Sequence, residues 1–189
     1  MSYLIAAVGL SGAGKTTALQ RLAGLCGGKY VYLGQTVLDL VRARELPSNR
    51  ESERIVRLAL REKHGLGALV TLNADNIAGC LASGHPVLLD AIFNMEEFEA
   101  VRSLVPPGAV YLVNITAPFD IRRERLALRP DRSFTESELR ARDKTELEIL
   151  GIGKVQAVAS HILINDHSVE VFHQNLSDFL ATIRTRDGN

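Results

Sequence analysis

An eight-residue segment at positions 9–16, Gly-Leu-Ser-Gly-Ala-Gly-Lys-Thr, constrains the fold of this 189-residue chain more than any other feature. It matches the pattern of a phosphate-binding loop in full. An apolar run at 3–8 precedes the segment and a helical pattern follows it, which is the strand–loop–helix context that such a loop requires. The alternative is an ordinary strand–turn–helix whose glycines serve only packing. Pattern and context together favour a polyphosphate site.

The residue types within this segment suit a nucleoside polyphosphate. Gly12 and Gly14 allow backbone conformations that bring amide groups close to phosphate oxygens, and the following helix adds the positive end of its dipole. Lys15 supplies a mobile cation for the β- and γ-phosphates, and the Thr16 hydroxyl can ligate Mg²⁺. We therefore expect a nucleotide-binding set made of Ser11, Gly12, Ala13, Gly14, Lys15, Thr16 and Thr17.

Short apolar runs alternate with longer segments of helical periodicity along the chain. The apolar runs are rich in Val, Ile, Leu or Tyr, as expected of parallel strands buried on both faces; they cover 3–8, 30–33, 86–89, 109–115 and 161–164. The helical segments cover 15–26, 35–45, 53–64, 68–83, 95–104, 118–128, 136–150 and 168–183, with Ser48 and Glu51 as a capping box before the third. The alternation predicts one α/β domain over 1–189 with a mostly parallel sheet.

Composition excludes several classes of partner. Lys plus Arg and Asp plus Glu each number 22, so the net charge is zero and lacks the basic excess of a nucleic-acid binder. No apolar run reaches the length of a membrane span, and the N-terminal run has neither the basic flank nor the cleavage site of a signal peptide. Cys26 and Cys80 provide no disulfide framework. We expect a cytoplasmic protein, monomeric or homodimeric, that acts on a small molecule and binds neither nucleic acid nor membrane.

A carboxylate follows the apolar run at 86–89. Asp90 closes this run, and a carboxylate at such a strand end can hold the Mg²⁺ shell; the alternative is an Asp that caps the following turn. The next residues are Ala91, Ile92 and Phe93, without the Glu that motor and remodelling ATPases generally place there. The Asn-Lys-x-Asp motif that reads guanine is absent from the sequence as well. These features favour transfer of the γ-phosphate to a small acceptor over hydrolysis.

Arginines concentrate in a segment that could close over the phosphates and exclude water. Residues 122–142 contain seven of them, namely Arg122, Arg123, Arg125, Arg129, Arg132, Arg140 and Arg142. Neighbouring acids predict that much of this segment is a salt-bridged surface; they are Glu124, Asp131, Glu136, Glu138, Asp143, Glu146 and Glu148. Further arginines between 35 and 83 could meet an anionic acceptor, although most are expected at the surface; they are Arg42, Arg44, Arg50, Arg54, Arg57 and Arg61.

Several short motifs follow the loop in a fixed order. They are Leu60-Arg61-Glu62-Lys63-His64-Gly65, Asp90, Glu124-Arg125-Leu126 with Arg129, Arg142-Asp143 before Glu146-Leu147, Gly151-Ile152-Gly153 and Ile164-Asn165-Asp166. In this order they resemble the nucleoside-monophosphate-kinase group of P-loop proteins, which includes adenylate kinase and dephospho-CoA kinase. Within that group they resemble the archaeal proteins described as adenylate-kinase-related.

The resemblance implies a fold, two ligands and roles for individual residues. The fold would be the three-layer α/β/α fold of P-loop NTPases with a five-stranded parallel sheet in the order 2-3-1-4-5, a helical acceptor-binding region at about 34–84 and a lid at about 129–150. ATP and Mg²⁺ would bind at the loop, with Thr16 and Asp90 at the metal. Lys15, Asp90, Arg125 and Arg129 would form the catalytic set. Arg125, Asn165 and Asp166 would border the base, Arg129 would lie near the phosphates, and Arg129, Arg132 and Arg142 would belong to the lid.

The chain departs from adenylate kinases where those enzymes hold the acceptor. Gln35 and Leu38 stand where the first acceptor helix carries an Asp and an Arg, and Phe93 stands where the archaeal relatives usually carry an Arg. The Asp-Gly-Asp-Asn segment of adenylylsulfate kinases and the Asp-Arg-Tyr motif of thymidylate kinases are absent from the sequence. We expect an ATP-dependent phosphotransferase with a nucleotide-like acceptor, a nucleoside or deoxynucleoside monophosphate by preference. The alternatives are a dephospho-CoA kinase-like enzyme and an ATP-binding regulator with little turnover.

Overall fold

A parallel sheet forms the centre of the fold in the computed structural model, which describes residues 2–90, 92–130 and 133–187. Within these ranges five strands run in the order β2-β3-β1-β4-β5, and each adjacent pair is parallel. The strands are β1 (Leu4–Val8), β2 (Lys29–Tyr32), β3 (Val87–Asp90), β4 (Val110–Thr116) and β5 (His161–Ile164). The predicted parallel sheet and its strand order are therefore confirmed.

Helices cover both faces of the sheet. They are α1 (Lys15–Cys26), α2 (Gln35–Ala43), α3 (Arg50–His64), α4 (Ala68–Leu72), α5 (Ala74–Ala82), α6 (Met95–Ser103), α7 (Phe119–Ala127), α8 (Glu136–Lys144), a π-helix (Thr145–Ile149), α9 (Ile152–Ala157) and α10 (Val169–Asp187). Apolar residues of α1 and α10 form one buried cluster with one face of the sheet. Those of α2 to α6 and of α9 form a second cluster with the other face. This arrangement confirms the predicted three-layer α/β/α fold.

The helices differ from the prediction in several places, and α9 (Ile152–Ala157) was not predicted. The segment 68–83 divides at Asn73, because its side-chain amide donates to the Thr36 hydroxyl (2.8 Å) and to the Leu69 carbonyl (2.8 Å). The segment 136–150 changes from α-helix to π-helix after Lys144. The cap of α3 is Asn49, whose Oδ1 accepts a hydrogen bond from the Ser52 amide (2.9 Å), so the predicted capping box at Ser48 and Glu51 is wrong.

Burial of the strands follows their place in the sheet. Every residue of β1 and β3 is buried, as the continuous apolar runs predict. The prediction of burial on both faces is wrong for β5, where Ile162 is 64% exposed and Ile164 is 55% exposed. The strand order places β5 at an edge of the sheet, and only one of its faces is covered. Among the helices of the described residues, none combines the length and the apolar character of a bilayer-crossing segment.

Candidate functional site

The loop at 9–16 leaves the carboxyl end of β1 and enters α1. Gly9 has a φ of 146°, and a Cβ there would collide with the Ile115 carbonyl of β4. Gly14 has a φ of 101°, and a Cβ there would collide with the Asn165 side-chain amide. Both positions require glycine, because other residues rarely adopt these φ values and would find no space. The loop backbone is thus packed against its neighbours at the positive end of the α1 dipole.

The two residues predicted to hold Mg²⁺ are in direct contact. The Thr16 hydroxyl donates a hydrogen bond to Asp90 Oδ2 at 2.6 Å, and Asp90 is only 2% exposed. Hydroxyl and carboxylate oxygens are the ligands that Mg²⁺ prefers, so this pair fits the metal that the loop implies. The contact arises because β3 lies beside β1 and ends where α1 begins.

Tyr30 is a third member of this group that sequence reasoning missed. Its hydroxyl donates to the same Asp90 Oδ2 at 2.7 Å. Burial and the neighbouring Asp90 raise the pKa of Tyr30, so the phenol remains a donor at neutral pH. Tyr30 also lines a polar cleft of about 400 Å³ beside Gln35, Thr36 and Asn73. A tyrosine inside a strand pattern gives no signal of such a contact, which depends on the pairing of β2 with β3.

Lys15 folds back onto its own loop. Its Nζ donates to the Gly9 carbonyl at 2.6 Å and to the Leu10 carbonyl at 3.2 Å, and lies 5.7 Å from the centre of the Phe93 ring. Burial lowers the pKa of Lys15; Glu146 and Asp90 oppose this shift, and Arg142 and Arg129 reinforce it. The ammonium group is therefore surrounded by charged side chains at the mouth of the loop.

Of the three residues predicted to border the base, Arg125 and Asn165 are in contact, and Asp166 takes no part in that contact. Arg125 donates to the Asn165 carbonyl (3.1 Å) and to Asn165 Oδ1 (3.1 Å), and burial lowers the pKa of Arg125. The Asn165 side chain in turn donates to the Ala13 carbonyl at 2.9 Å, which fixes it to the loop. Asp166 pairs with His167 at 3.6 Å instead. Thr17 lies exposed in the first turn of α1.

The arginines of the predicted lid fall into different environments. Arg122 is 4% exposed and donates to both carboxylate oxygens of Asp143, at 2.9 and 2.7 Å, and to the Ser11 carbonyl at 3.0 Å. It therefore fastens α7 to α8 and to the loop, and is not free to meet phosphate. Arg123 and Arg140 both pair with Glu136, as expected of a salt-bridged surface. Arg132 lies outside the described residues.

Arg129 and Arg142 remain near the loop. Both lie close enough to Lys15 to lower its pKa. Arg129 is exposed and makes no side-chain hydrogen bond or ion pair to the part of the chain that the structure describes. Arg142 lies 5.6 Å from the Phe93 ring centre, so Phe93 contacts two cations at the position where an arginine was expected.

Glu146 was predicted as a surface acid, and this prediction is wrong. The residue is fully buried. Its carboxylate accepts hydrogen bonds from the Ser11 amide (3.2 Å), the Ser11 hydroxyl (2.8 Å) and Arg142 Nε (2.6 Å). The sequence offers two hints, its place in the Glu146-Leu147 motif and its spacing of four residues from Arg142, and that spacing also describes many exposed helical pairs.

Of the arginines between 35 and 83, only Arg57 and Arg61 have largely buried side chains. Arg42 and Arg54 form exposed pairs with Asp39 and Glu51, and Arg50 pairs with Glu138. Arg57 of α3 is largely buried, and burial followed by the proximity of Arg142 lowers its pKa. Arg61 is 9% exposed and reaches Glu97 at 3.4 Å.

The Arg61 guanidinium is incompletely satisfied. Its Nε is buried without a hydrogen-bond partner in the described part of the chain. Burial raises the pKa of Glu97, against hydrogen bonds from Phe93 and Asn94 and the charge of Arg61. Gln35, by contrast, is exposed and bonds to Asp39 at 2.8 Å. Arg57 and Arg61 of α3 are thus largely buried arginines, and each lies within 4 Å of a glutamate carboxylate, that of Glu53 and that of Glu97.

Solved structures share this fold. A shikimate kinase from Acinetobacter baumannii, in complex with shikimate, superposes with a TM-score of 0.56 at 19% identity and covers 98% of this chain and 95% of its own. A gluconokinase from Sinorhizobium meliloti superposes with a TM-score of 0.59 at 16% identity and covers 97% of this chain and 94% of its own. At these identities the likeness is one of fold, and the fold is that of P-loop kinases.

Relatives by sequence extend over nearly the whole chain. A UPF0200 protein of Sulfurisphaera tokodaii is 33% identical over 184 residues, which are 95% of this chain and 97% of that protein. A UPF0200 protein of Pyrococcus abyssi is 29% identical over 182 residues, which are 95% of this chain and 96% of that protein. A family model described as an AAA domain matches residues 5–151. The chain therefore belongs to the UPF0200 family and, over residues 5–151, to this AAA-domain family.

Proposed function

We propose that this protein is an ATP-dependent phosphotransferase that moves the γ-phosphate to a small anionic acceptor, a nucleoside or deoxynucleoside monophosphate by preference. The observation that carries the proposal is the contact between Thr16 Oγ1 and Asp90 Oδ2 (2.6 Å) at the mouth of the loop. This contact pairs a phosphate-binding loop with a carboxylate suited to Mg²⁺. The names of the shikimate kinase and the gluconokinase add support for transfer to a small molecule.

Each part of the site has a defined task in this reaction. The loop amides and Lys15 would hold the polyphosphate, while Thr16 and Asp90 would hold Mg²⁺, which when bound neutralises phosphate charge. An oxygen of the acceptor phosphate forms a bond to the γ-phosphorus, the bond from that phosphorus to the bridging oxygen breaks, and ADP leaves. Arg142 and Arg129 stabilise the charge on the moving phosphoryl group. No covalent enzyme intermediate is needed.

The preference for an anionic acceptor rests on α3. Arg57 is largely buried near Arg142 and pairs with Glu53 at 3.8 Å, while Arg61 pairs with Glu97 and has a buried Nε without a partner in the described residues. A buried donor without a partner is costly, and an oxygen of an anionic acceptor would satisfy it. We assign residues 34–84 to the acceptor-binding region and 129–150 to the lid of a single domain.

A coupled assay for ADP with ATP, Mg²⁺ and separate acceptors tests this function. The panel contains AMP, dAMP, CMP, UMP, shikimate, gluconate and dephospho-CoA. ADP formation stimulated by a monophosphate supports the proposal. Stimulation only by dephospho-CoA, shikimate or gluconate contradicts the preferred acceptor. Tight ATP binding without acceptor-dependent ADP contradicts phosphotransfer itself.

The same assay tests the role of α3 through a matched pair of variants. For the acceptor found, Arg57→Gln should raise KM about tenfold, because it removes a hydrogen bond between charged groups. KM for ATP should stay unchanged. Arg54→Gln, on the exposed face of the same helix, should leave both constants unchanged. Equal effects of the two variants would contradict the assignment of α3 to the acceptor.

A further inference from the structure

One carboxylate connects the phosphate-binding loop to the predicted lid. Glu146 Oε1 accepts from the Ser11 hydroxyl at 2.8 Å and from Arg142 Nε at 2.6 Å, while Oε2 accepts from the Ser11 amide at 3.2 Å. The carboxylate thus bonds to a backbone amide of a loop whose geometry favours anions. It also neutralises the arginine best placed near Lys15.

The backbone that carries Glu146 has an unusual conformation. Residues Thr145–Ile149 form a π-helix, which the Leu150 amide closes by donating to the Thr145 carbonyl at 3.1 Å. Such turns are rare and are frequently found at functional sites. The preceding helix α8 is fastened one turn earlier by Asp143, through Arg122, to the Ser11 carbonyl. A movement of Glu146 would therefore change the conformation of the π-helix and leave α8 in place.

We propose that Glu146 is a positioning residue that competes with the phosphates of ATP for the Ser11 amide and, when displaced, frees Arg142 to face the phosphoryl group. This inference rests on the nucleotide half of the proposed function and is independent of the acceptor. Two anions repel each other, and one amide N–H donates well to only one of them, so a phosphate and the Glu146 carboxylate cannot both occupy the Ser11 amide without cost. Because the same carboxylate holds Arg142, its displacement couples nucleotide binding to the release of that arginine.

Calorimetry on two variants of the full chain tests this competition. Glu146→Gln keeps the size of the side chain and removes its charge. We expect the Kd for MgATP to fall about tenfold, the Kd for MgADP to fall less, and the Kd for AMP to stay unchanged, since the competition concerns the distal phosphates. The control is Glu148→Gln, which lies in the same π-helix, is 64% exposed and pairs with Lys144. This control should bind all three nucleotides like the unmodified protein.

The different changes expected in the Kd for MgATP, MgADP and AMP distinguish competition from a purely structural role of Glu146. A folded Glu146→Gln protein that binds MgATP no more tightly than the unmodified protein overturns the inference and leaves the proposed function intact. An equal gain for AMP overturns it too, because AMP lacks the phosphates that would compete. If neither protein binds MgATP, the proposed function fails and the inference fails with it.

A second comparison covers the case in which the unpaired Arg142 prevents folding of the single variant. Arg142→Gln removes the arginine and keeps the Glu146 carboxylate. The double variant Arg142→Gln/Glu146→Gln replaces both charged side chains with neutral amides. MgATP should bind the double variant about tenfold more tightly than Arg142→Gln alone. Equal affinity of these two proteins would overturn the competition between Glu146 and phosphate.

Discussion

Asp90 and Thr16 are separated by 74 positions in the sequence, yet their side chains meet at 2.6 Å. The Thr16 hydroxyl and the Tyr30 hydroxyl both donate to the same Asp90 oxygen. Two donors hold the carboxylate in one orientation before any ligand binds, and such preorganisation reduces the cost of placing a metal ion. At the scale of single residues, Asp90 therefore supplies the charge of the proposed metal site, and Thr16 and Tyr30 orient its carboxylate.

Substitution of Asp90 separates the contribution of its charge from the contribution of its geometry. Asp90→Asn keeps the shape of the side chain and should lower kcat about a hundredfold, because a preorganised charge at the transferring phosphate is lost. The Mg²⁺ concentration for half-maximal activity should rise as well, which a magnesium titration of initial rates measures. Asp178→Asn, on the exposed surface of α10, is the control. A normal magnesium titration in Asp90→Asn would remove Asp90 from the metal site.

Sequence reasoning assigned roles at the loop and at a strand end, but gave none to Tyr30 or to Glu146, although Glu146 stands in the motif series. The loop pattern identified Lys15 and Thr16. The position of Asp90 at the end of an apolar run identified that residue. Glu146 and Tyr30 were missed, because their roles depend on contacts over 135 and 60 positions. The spacing of Glu146 suits an exposed helix equally well, and only the packing of the π-helix against the loop turns it inward.

At the scale of elements, the ion pair of Arg122 with Asp143 fastens part of the segment predicted as a lid to the phosphate-binding loop. The Arg122 guanidinium on α7 donates to both oxygens of Asp143 on α8 and to the loop carbonyl of Ser11. Their side chains are 5% and 14% exposed. The pair therefore joins three elements whose relative positions decide where Arg142 and Glu146 lie.

Breaking this pair should destabilise the whole fold. Asp143→Asn leaves the Arg122 charge buried without a counterion, which costs about 3–5 kcal/mol. Urea unfolding followed by circular dichroism measures the loss. Glu99→Gln is the control, because Glu99 forms an exposed pair with Arg102, and its removal should cost less than about 1 kcal/mol. Equal stability of the two variants would show that the Arg122 pair does not fasten the lid.

Periodicity predicted where most helices lie but not how they are divided. The break at Asn73 depends on a hydrogen bond to Thr36 on another helix, which local sequence does not reveal. The helix α9 has six residues and is too short for a periodic pattern to stand out. The change to a π-helix after Lys144 coincides with the buried contact between Glu146 and Ser11, which local sequence does not reveal.

At the scale of the molecule, the parallel sheet gathers the site at one end. The loop follows β1, Asp90 ends β3, and Asn165 follows β5, so three strands place their candidate site residues at the same carboxyl edge. The alternation of strands and helices predicted this class of fold, and the resemblance to nucleotide kinases predicted the strand order. The exposed face of β5 could not be read from its apolar residues, because exposure depends on which strands lie at the edges.

The central claim is that the loop at 9–16 binds the phosphates of ATP, and calorimetry with MgATP tests it most directly. The unmodified protein should release heat on binding, and Lys15→Ala should bind at least about tenfold more weakly, since a cation at the phosphates is lost. Burial lowers the pKa of Lys15, so the fold gains nothing from its charge and the variant should remain folded by circular dichroism. Absence of binding to the folded unmodified protein, or equal binding by the two, would contradict the account.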